Sequence, residues 1–167
     1  MIKITWHEGE PHKNMPVRQV YAIAFDTNGR VFLKAENKNG KTVYSMFGGT
    51  PEDFDKDRIA TLKREFVEEA NTTLKEPIYL VGYQEIEGDG DKPTYAQLRM
   101  LAIVDKIGSK QPDPDNGETY DRVFVAPNKA IELLGWGEVG KKQIEQATKM
   151  LDEKFGIKTT CKEIISL

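Results

Sequence analysis

Cysteine is nearly absent from this sequence, since Cys161 is the only one among 167 residues. A single thiol cannot form an intramolecular disulfide or a cysteine-rich zinc site. No histidine lies near Cys161 in the sequence, so we interpret it as a structural thiol and not as a nucleophile. The two histidines, His7 and His12, lie in the N-terminal arm, where we expect surface roles. The sequence therefore does not indicate cysteine or histidine chemistry.

Long apolar runs are also missing. No segment approaches the roughly 18 apolar residues that a membrane helix needs, and the segment from Met1 to Glu8 has no apolar signal core. We therefore expect a cytoplasmic protein that binds no membrane. A positive charge excess is absent too, because the net charge is -3 at pH 7, which argues against a nucleic-acid partner. An acidic protein that acts on an anionic substrate needs a counter-charge, and a divalent cation is the usual one.

The composition and the residue pattern fit a single globular domain over residues 1–167, with 38% apolar and 31% charged residues. Apolar, β-branched runs between turn signals such as Asn28-Gly29 and Asn39-Gly40 predict strands. The predicted strands cover residues 17–26, 31–35, 43–47, 77–87, 94–105 and 120–125. Helical spacing predicts helices over residues 57–70, 128–134 and 138–155. This order predicts an α/β (α+β) fold in which helices cover both faces of a mixed β-sheet.

One predicted helix carries a cluster of carboxylates. Glu65, Glu68 and Glu69 are three or four residues apart, so they project to neighbouring positions, while Leu62 and Phe66 point to the core. Three anions on an anchored helix suit a hard cation such as Mg²⁺. The alternative is a solvated acidic face, because like charges at this spacing cost only roughly 0.2–0.5 kcal/mol per pair.

The segment before this helix favours the functional interpretation. Gly48-Gly49 directly follows a predicted strand, where the backbone can approach a ligand or expose a carbonyl. Together with Arg64-Glu65-Phe66-Val67-Glu68-Glu69, this arrangement resembles the Nudix box of the MutT-like hydrolases. That box reads Gly, five residues, Glu, seven residues, Arg-Glu, an apolar position, any residue, Glu-Glu, any residue, Gly and an aliphatic position. The resemblance implies a Nudix-like α/β/α sandwich with a mixed β-sheet.

The first half of the box departs from the pattern. Gly49 lies one residue too far from Arg64, and counting back from Arg64 places the first box Glu on Lys56. Asp55 and Asp57 flank Lys56, and either could substitute in a shifted loop. The late box Gly is Asn71, which also tolerates the left-handed conformation that ends helices. The final aliphatic position is Thr72.

The resemblance implies a role for each matching residue. Glu68, Glu69 and the carbonyl of Gly48 would bind Mg²⁺, with Mn²⁺ as an alternative cofactor. Glu65 would bind the metal or orient its water, and Arg64 would hold the glutamates in place. The implied reaction is attack by water on a phosphorus of a pyrophosphate linkage.

Other residues are assigned with alternatives. For a further catalytic carboxylate from a downstream loop, as family members often have, we choose Glu118, with Glu85 and Glu87 as rivals. Candidates for substrate binding are Gly49, Arg18 and Arg99, with structural ion pairs as the alternative for the arginines. The same alternatives apply to Arg122, which also lies on a predicted strand. Trp136 is expected to pack a helix junction.

The leading hypothesis from the sequence is a Mg²⁺-dependent pyrophosphohydrolase that acts on a small nucleoside-diphosphate-linked substrate. A second hypothesis is a catalytically weak nucleotide-binding or regulatory module on the same fold. A third is an acidic-faced interaction protein without a metal. The sequence identifies neither the nucleotide nor the oligomeric state, and a homodimer is left open beside a monomer.

Overall fold

The computed structural model describes residues 1–167. Its strands are β1 (Lys3–Glu8), β2 (Val17–Phe25), β3 (Val31–Lys38), β4 (Lys41–Ser45), β5 (Gly48–Gly49), β6 (Thr72–Glu87), β7 (Tyr95–Ile107), β8 (Asp121–Val125) and β9 (Ile165–Ser166). Its helices are α1 (Arg58–Ala70), α2 (Pro127–Leu134) and α3 (Gly137–Phe155). All six predicted strands and all three predicted helices correspond to observed elements.

The nine strands form one mixed sheet in the order β1-β6-β7-β2-β3-β8-β9, with β4 paired to β3 and β5 paired to β2. The pair β2–β7 is parallel, and the other pairs are antiparallel. Successive residues of β2 alternate between two cores, because Ala22 and Ala24 belong to one and Ile23 and Phe25 to the other. The sheet therefore separates two hydrophobic layers.

A helical layer covers each core. Leu62, Phe66 and Ala70 of α1 pack into the first core, while α2 and α3 contribute residues such as Leu134 and Ile144 to the second. The predicted α/β/α sandwich with a mixed sheet is confirmed. No helix is long and apolar enough to cross a membrane.

The prediction missed the short strands β5 and β9, strand β1 and the first residues of β6. Residues 3–8 form strand β1, which pairs with β6 from Lys3↔Glu87 to Glu8↔Gly82. This edge strand was missed because its short polar-apolar alternation resembles an exposed arm. Strand β6 begins at Thr72, five residues before the predicted start at Pro77. The chain thus leaves α1 directly into the sheet.

Helix α1 has a defined beginning and end. The side chain of Asp57 caps its N-terminus by accepting a hydrogen bond from the N–H of Ala60, at 2.8 Å. At the other end, Asn71 adopts the left-handed conformation with φ 46° and bonds back to the carbonyls of Phe66 and Val67. These caps fix which turn of the helix faces β5.

The C-terminal segment closes one edge of the sheet. Strand β9 pairs with β8, and the N–H and carbonyl of Leu167 exchange hydrogen bonds with Arg122. Upstream of β9, the N–H of Thr160 donates to the carbonyl of Asn28, at 3.0 Å. The segment therefore covers both β8 and the turn between β2 and β3.

Candidate functional site

Two glycines bring the backbone of β5 against α1. Gly48 has φ +147°, and a Cβ there would lie 2.2 Å from the carbonyl oxygen of Val20. A Cβ on Gly49 would lie 2.4 Å from Oε1 of Glu65. Both distances are shorter than a carbon–oxygen contact allows, so side chains larger than hydrogen are excluded by the present arrangement. The glycine pair thus lets the carboxylate of Glu65 lie directly against β5.

Glu69 also turns toward this bend. The N–H of Gly48 donates to Oε1 of Glu69 at 3.2 Å, and Nζ of Lys34 lies 2.5 Å from Oε2. The Lys34 ammonium is 4.5 Å from the centre of the Tyr120 ring. Burial raises the pKa of Glu69, and Lys34 opposes that shift. Glu69 is therefore a buried carboxylate held between a backbone donor and a lysine.

Arg64 is the centre of the carboxylate cluster. Its Nε and Nη2 bind the two oxygens of Asp55 at 3.0 and 2.9 Å. Its Nη1 lies 3.0 Å from Oε1 of Glu65 and 3.1 Å from Oε2 of Glu68. Nη2 also donates to the carbonyl of Thr50, at 3.0 Å. One guanidinium thus links the loop after β5 to two glutamates of α1.

This geometry shows how the loop accommodates its extra residue. Five residues, 50–54, separate Gly49 from Asp55, and Asp55 forms the bidentate pair with Arg64. The additional residue therefore lies between Asp55 and Arg64. Of the two aspartates that the sequence left open, Asp55 takes the place beside Arg64 and Asp57 caps the helix. Lys56 is exposed.

The electrostatic environments of neighbouring carboxylates differ strongly. Hydrogen bonds from Arg64 hold the pKa of Asp55 well below its usual range, with burial acting against them. Burial raises the pKa of Glu65 to about 7, although Arg64 acts in the opposite direction. Glu69 and Glu68 add repulsion that also raises the pKa of Glu65. Burial and pairing with Arg64 thus shift the pKa values of Asp55 and Glu65, two neighbouring carboxylates, in opposite directions.

The donor chemistry fits a hard divalent cation, since carboxylate oxygens and a nearby glycine backbone are the ligands that Mg²⁺ prefers. The present geometry does not assemble a group of three acidic side chains suited to a metal ion. Glu65 and Glu68 are paired with Arg64, and Glu69 is paired with Lys34. A bound cation would have to replace part of this pairing.

The predicted downstream carboxylates lie in different surroundings. Glu118 is exposed in the loop before β8, and its backbone carbonyl accepts from the N–H of Asp113. Glu85 lies 3.5 Å from His7, and Glu87 is bound to Lys3 at 2.8 Å. The structure gives both rivals partners on β1 and does not place them in the Arg64 cluster.

Sequence reasoning missed Asp113. Its side chain is buried and accepts from the N–H of Asp115 at 2.9 Å. Its charge is close enough to Glu69 to contribute to the raised pKa of that residue. The signal was weak, because Asp113 stands between two prolines in a segment that looks like an ordinary polar loop.

The three arginines considered for substrate binding occupy three environments. Arg18 is exposed, with its guanidinium 5.4 Å from the centre of the Tyr95 ring. Arg122 is buried and donates to the carbonyls of Ala70 and Gly108 at 2.7 and 2.8 Å, which is a structural contact at the end of α1. Arg99 is buried beside a cavity.

That cavity, of about 450 Å³, lies on the face of the sheet that carries α2 and α3. Its polar lining consists of Lys34, Ser45, Gln84, Gln97 and Arg99, and its apolar or aromatic lining of Ile4, Tyr21, Met46, Trp136 and Val139. Trp136 packs closely against Gly140 at the helix junction, since a Cβ added to Gly140 would lie 2.8 Å from the Cβ of Trp136. Trp136 also lines the cavity. Lys34 connects the cavity to Glu69.

The comparison with protein families identifies this arrangement. The NUDIX domain model matches residues 15–147, which includes the glycine pair, α1, the loop with Asp113 and most of α3. The chain belongs to the Nudix family. Membership supports the enzyme class expected from the sequence, a pyrophosphohydrolase of the Nudix type.

Solved structures agree on the fold. The Bacillus subtilis pyrophosphohydrolase BsRppH has a TM-score of 0.64 at 16% identity, covering 93% of this chain and 93% of that one. A structure from a study of MutT from Aliivibrio salmonicida and Vibrio cholerae has a TM-score of 0.57 at 18% identity. The match covers 78% of this chain and 98% of that one. The NUDIX domain of Shewanella oneidensis NrtR, bound to ADP ribose, has a TM-score of 0.59 at 14% identity, covering 83% and 90%. A search of curated proteins gave no match.

Proposed function

We propose that the chain is a Mg²⁺-dependent hydrolase that cuts a pyrophosphate linkage in a nucleoside-diphosphate-linked substrate. The observation that carries this proposal is the Arg64-centred cluster together with the neighbouring Glu69, since Glu65 and Glu69 both face the Gly48-Gly49 bend. Membership of the Nudix family supports the same reaction. Mn²⁺ is the alternative cofactor.

We assign a separate role in this reaction to each residue of the site. Glu68, Glu69 and the carbonyl of Gly48 would hold the cation, which when bound neutralises phosphate charge and lowers the pKa of a water molecule. Arg64 positions Glu65 and Glu68 through its hydrogen bonds at 3.0 and 3.1 Å. Gly49 leaves room for the Glu65 carboxylate, and its backbone is proposed to contact the substrate. Arg18, exposed near the same bend, is proposed to meet substrate phosphates.

Glu65 is suited to take a proton from the attacking water. A general base works best when its pKa is near the pH of the reaction, and in the metal-free protein burial raises the pKa of Glu65 to about 7. Its carboxylate lies against the Gly49 backbone, where only glycine leaves space. We assign Glu65 to orient and deprotonate the water, with direct metal binding as its alternative role.

The main experiment measures phosphate or nucleoside monophosphate release from a panel of nucleoside triphosphates, dinucleoside polyphosphates, nucleotide sugars and ADP-ribose. With Mg²⁺ we expect turnover of at least one member, and none after EDTA. Glu69→Gln should lower the rate by at least about 100-fold, because removing a group that stabilises transition-state charge has that effect. The matched control is Glu153→Gln on the exposed face of α3, which should leave the rate unchanged. Unchanged turnover in Glu69→Gln, with the fold intact, would contradict the assignment.

A second experiment tests a downstream carboxylate as the alternative to Glu65 for the role of general base. We retain Glu118 as the proposed catalytic residue from this loop, and the buried position of Asp113 near Glu69 makes it the competing choice. Glu118→Gln and Asp113→Asn change one charge each in the same loop. A rate loss of about tenfold or more in only one variant assigns the role to that residue. Equal wild-type rates in both would remove the loop from the mechanism.

One observation favours a binding module as the second candidate function. All three box glutamates are already paired with Arg64 or Lys34, and no group of three acidic side chains is assembled for a metal. Tight nucleotide binding without turnover of any panel member would support that candidate. Calorimetric titration of Mg²⁺ into wild type and Glu68→Gln/Glu69→Gln addresses the metal directly, since identical titrations would exclude these ligands.

We further propose that the protein works in the cytoplasm on a small-molecule nucleotide, without a nucleic-acid or membrane partner. Its net charge of -3 is consistent with this proposal. A monomer and a homodimer remain the two alternatives for its oligomeric state, which sedimentation would distinguish.

A further inference from the structure

Arg99 is a buried cation without a carboxylate partner. Its side chain donates to Oε1 of Gln143 at 3.0 Å, to Oε1 of Gln84 at 2.8 Å and to the carbonyl of Leu98 at 3.2 Å. All three acceptors are neutral, and Arg99 is only 3% exposed. Burial lowers the pKa of Arg99 to about 10. A buried charge of this kind destabilises the folded protein unless something compensates it.

Arg122 shows what a purely structural arginine looks like in this protein. It is also buried, and its Nη1 donates to two backbone carbonyls that meet at the end of α1, while its Nε has no hydrogen-bond partner. It does not line the cavity beside Arg99. Arg99, in contrast, forms part of the cavity wall, so a ligand in the cavity can reach its charge.

The cavity wall combines aromatic surface with this charge. The Arg99 guanidinium lies 4.9 Å from the centre of the Tyr21 ring and 5.8 Å from that of Trp136. Ile4, Met46 and Val139 supply apolar lining, and no carboxylate lines the cavity. Such a wall suits a flat ring that stacks on aromatic groups and offers an acceptor to a cation.

Two glutamines next to Arg99 define which hydrogen bonds a ligand can make. Gln84 and Gln97 are direct cross-strand partners on β6 and β7. The oxygen of Gln84 accepts from Arg99, so its amide nitrogen is the end left to donate to a ligand. The amide nitrogen of Gln97 donates to Gln19 at 2.6 Å, so the oxygen of Gln97 is left to accept. A donor and an acceptor therefore stand side by side.

The cavity is connected to the proposed catalytic cluster. Lys34 lines the cavity and binds Glu69. Tyr21 also lines the cavity, and it is the sheet partner of both Gly48 and Arg99. A nucleotide whose diphosphate lies over the glycine bend would therefore have its base directed to this cavity.

We propose that the cavity binds the base of the substrate and selects rings with a lactam edge, in which a carbonyl stands next to a ring N–H. Uracil, hypoxanthine and guanine have this edge, whereas adenine and cytosine carry an amino group there. The ring carbonyl accepts from Gln84 and Arg99, and the ring N–H donates to Gln97. This inference rests on the proposed nucleotide substrate and adds the class of base.

The test compares bases that differ at this edge alone. Binding of IMP against AMP, and of UMP against CMP, is measured by calorimetry in EDTA, so that neither metal nor turnover is needed. We expect the lactam member of each pair to bind about tenfold tighter, because a site that pairs polar groups rejects an analogue that leaves them unpaired. Equal binding, or tighter binding of AMP and CMP, would overturn the proposal.

Variants identify the residues responsible for the preference for lactam bases. Arg99→Met and Gln84→Leu should each reduce the preference to about twofold or less, whereas Lys149→Met on the exposed surface of α3 should retain it. If Arg99→Met does not fold, as judged by circular dichroism, Gln84→Leu and Gln97→Leu carry the test. A full preference that survives in the folded variants would overturn the assignment.

Pyrophosphate distinguishes a base site from a phosphate site. We expect pyrophosphate to bind wild type and Arg99→Met equally. If Arg99→Met weakens pyrophosphate and all four nucleotides by the same factor, the cavity binds phosphate and the proposal is wrong. Hydrolysis without base preference would refute only this inference, and base preference without hydrolysis would refute only the proposed activity.

Discussion

Arg64 and Arg99 are both shielded from water, but the protein surrounds them in opposite ways. Arg64 binds three carboxylates, and these hold its pKa above the usual range of arginine. Arg99 binds only amide and carbonyl oxygens, and burial holds its pKa below that range. The charge of Arg64 is neutralised by carboxylates of the protein, whereas the charge of Arg99 remains available to a ligand.

This difference separates two regions of the site. Around Arg64, negative charge exceeds positive charge, which suits a cation and a polarised water molecule. Around Arg99, positive charge has no counterpart, which suits an acceptor on a ring. Lys34 lies between the two regions, since it binds Glu69 and lines the cavity.

The largest stability effect should come from breaking the Arg64 cluster. Arg64→Met removes the charged partner of Asp55, whose side chain is 5% exposed, and leaves its carboxylate with the hydrogen bonds from Glu52 and Thr61. We expect a loss of about 3–5 kcal/mol in the free energy of unfolding, as for other broken buried pairs. Urea unfolding measures this loss.

Two further arginine variants sharpen the comparison. Arg99→Met removes a charge that has no carboxylate partner but leaves the oxygens of Gln84 and Gln143 without this donor, so we expect a loss of about 1–3 kcal/mol. Arg58→Met, which breaks an exposed pair with Glu10, should cost under about 1 kcal/mol. If Arg99→Met were as destabilising as Arg64→Met, the contrast between the two arginines would be lost.

Substitution of the two glycines should act on stability at Gly48, with a smaller effect than Arg64→Met, and on turnover at Gly49. Gly48→Ala places a Cβ against the backbone of Val20, which cannot move freely, so we expect destabilisation of about 1–3 kcal/mol. Gly49→Ala meets the end of the Glu65 side chain, which can rotate away. It should therefore lower turnover more than stability. Thermal unfolding and the hydrolysis assay measure the two outcomes, and equal behaviour of both variants would contradict the packing argument.

The last prediction concerns the pH dependence of stability. Glu65 has a pKa of about 7 in the folded protein, above its ordinary value of 4.5. Between these two values the folded state holds the extra proton, so the stability that Glu65 contributes at low pH is lost as pH rises toward 7. Without metal, wild type should lose stability between pH 5 and pH 8 relative to Glu65→Gln. Parallel urea midpoints for the two proteins would show that burial does not raise this pKa.

The sequence predicted the layers of the fold because hydrophobic periodicity and turn residues are local signals. The helix with Leu62 and Phe66 on one face and the strands around it followed from spacing alone. Strand β1 did not, because its pairing with β6 joins residues about 80 positions apart, such as Lys3 and Glu87. A pairing over this distance cannot be recognised from a short stretch of sequence.

For the site, the sequence identified the residues of the Nudix box but not the groups that surround them. The cluster of Glu65, Glu68 and Glu69 could be identified because all three lie on one helix. The choice between Asp55 and Asp57 depended on where α1 begins, which the cap geometry decides. The environment of Arg99 depends on Gln84 and on Gln143, which lies 44 residues away on α3. Only the assembled fold brings these groups together.

Strand β9 has a consequence for handling the protein. Its two residues, Ile165–Ser166, occupy the outer edge of β8, which would otherwise present unpaired N–H and C=O groups to other molecules. An open edge of this kind recruits strands from neighbouring chains. Shortening the chain before Ile164 should therefore favour self-association at high concentration, even though every residue of the glycine bend and of the Arg64 cluster would remain.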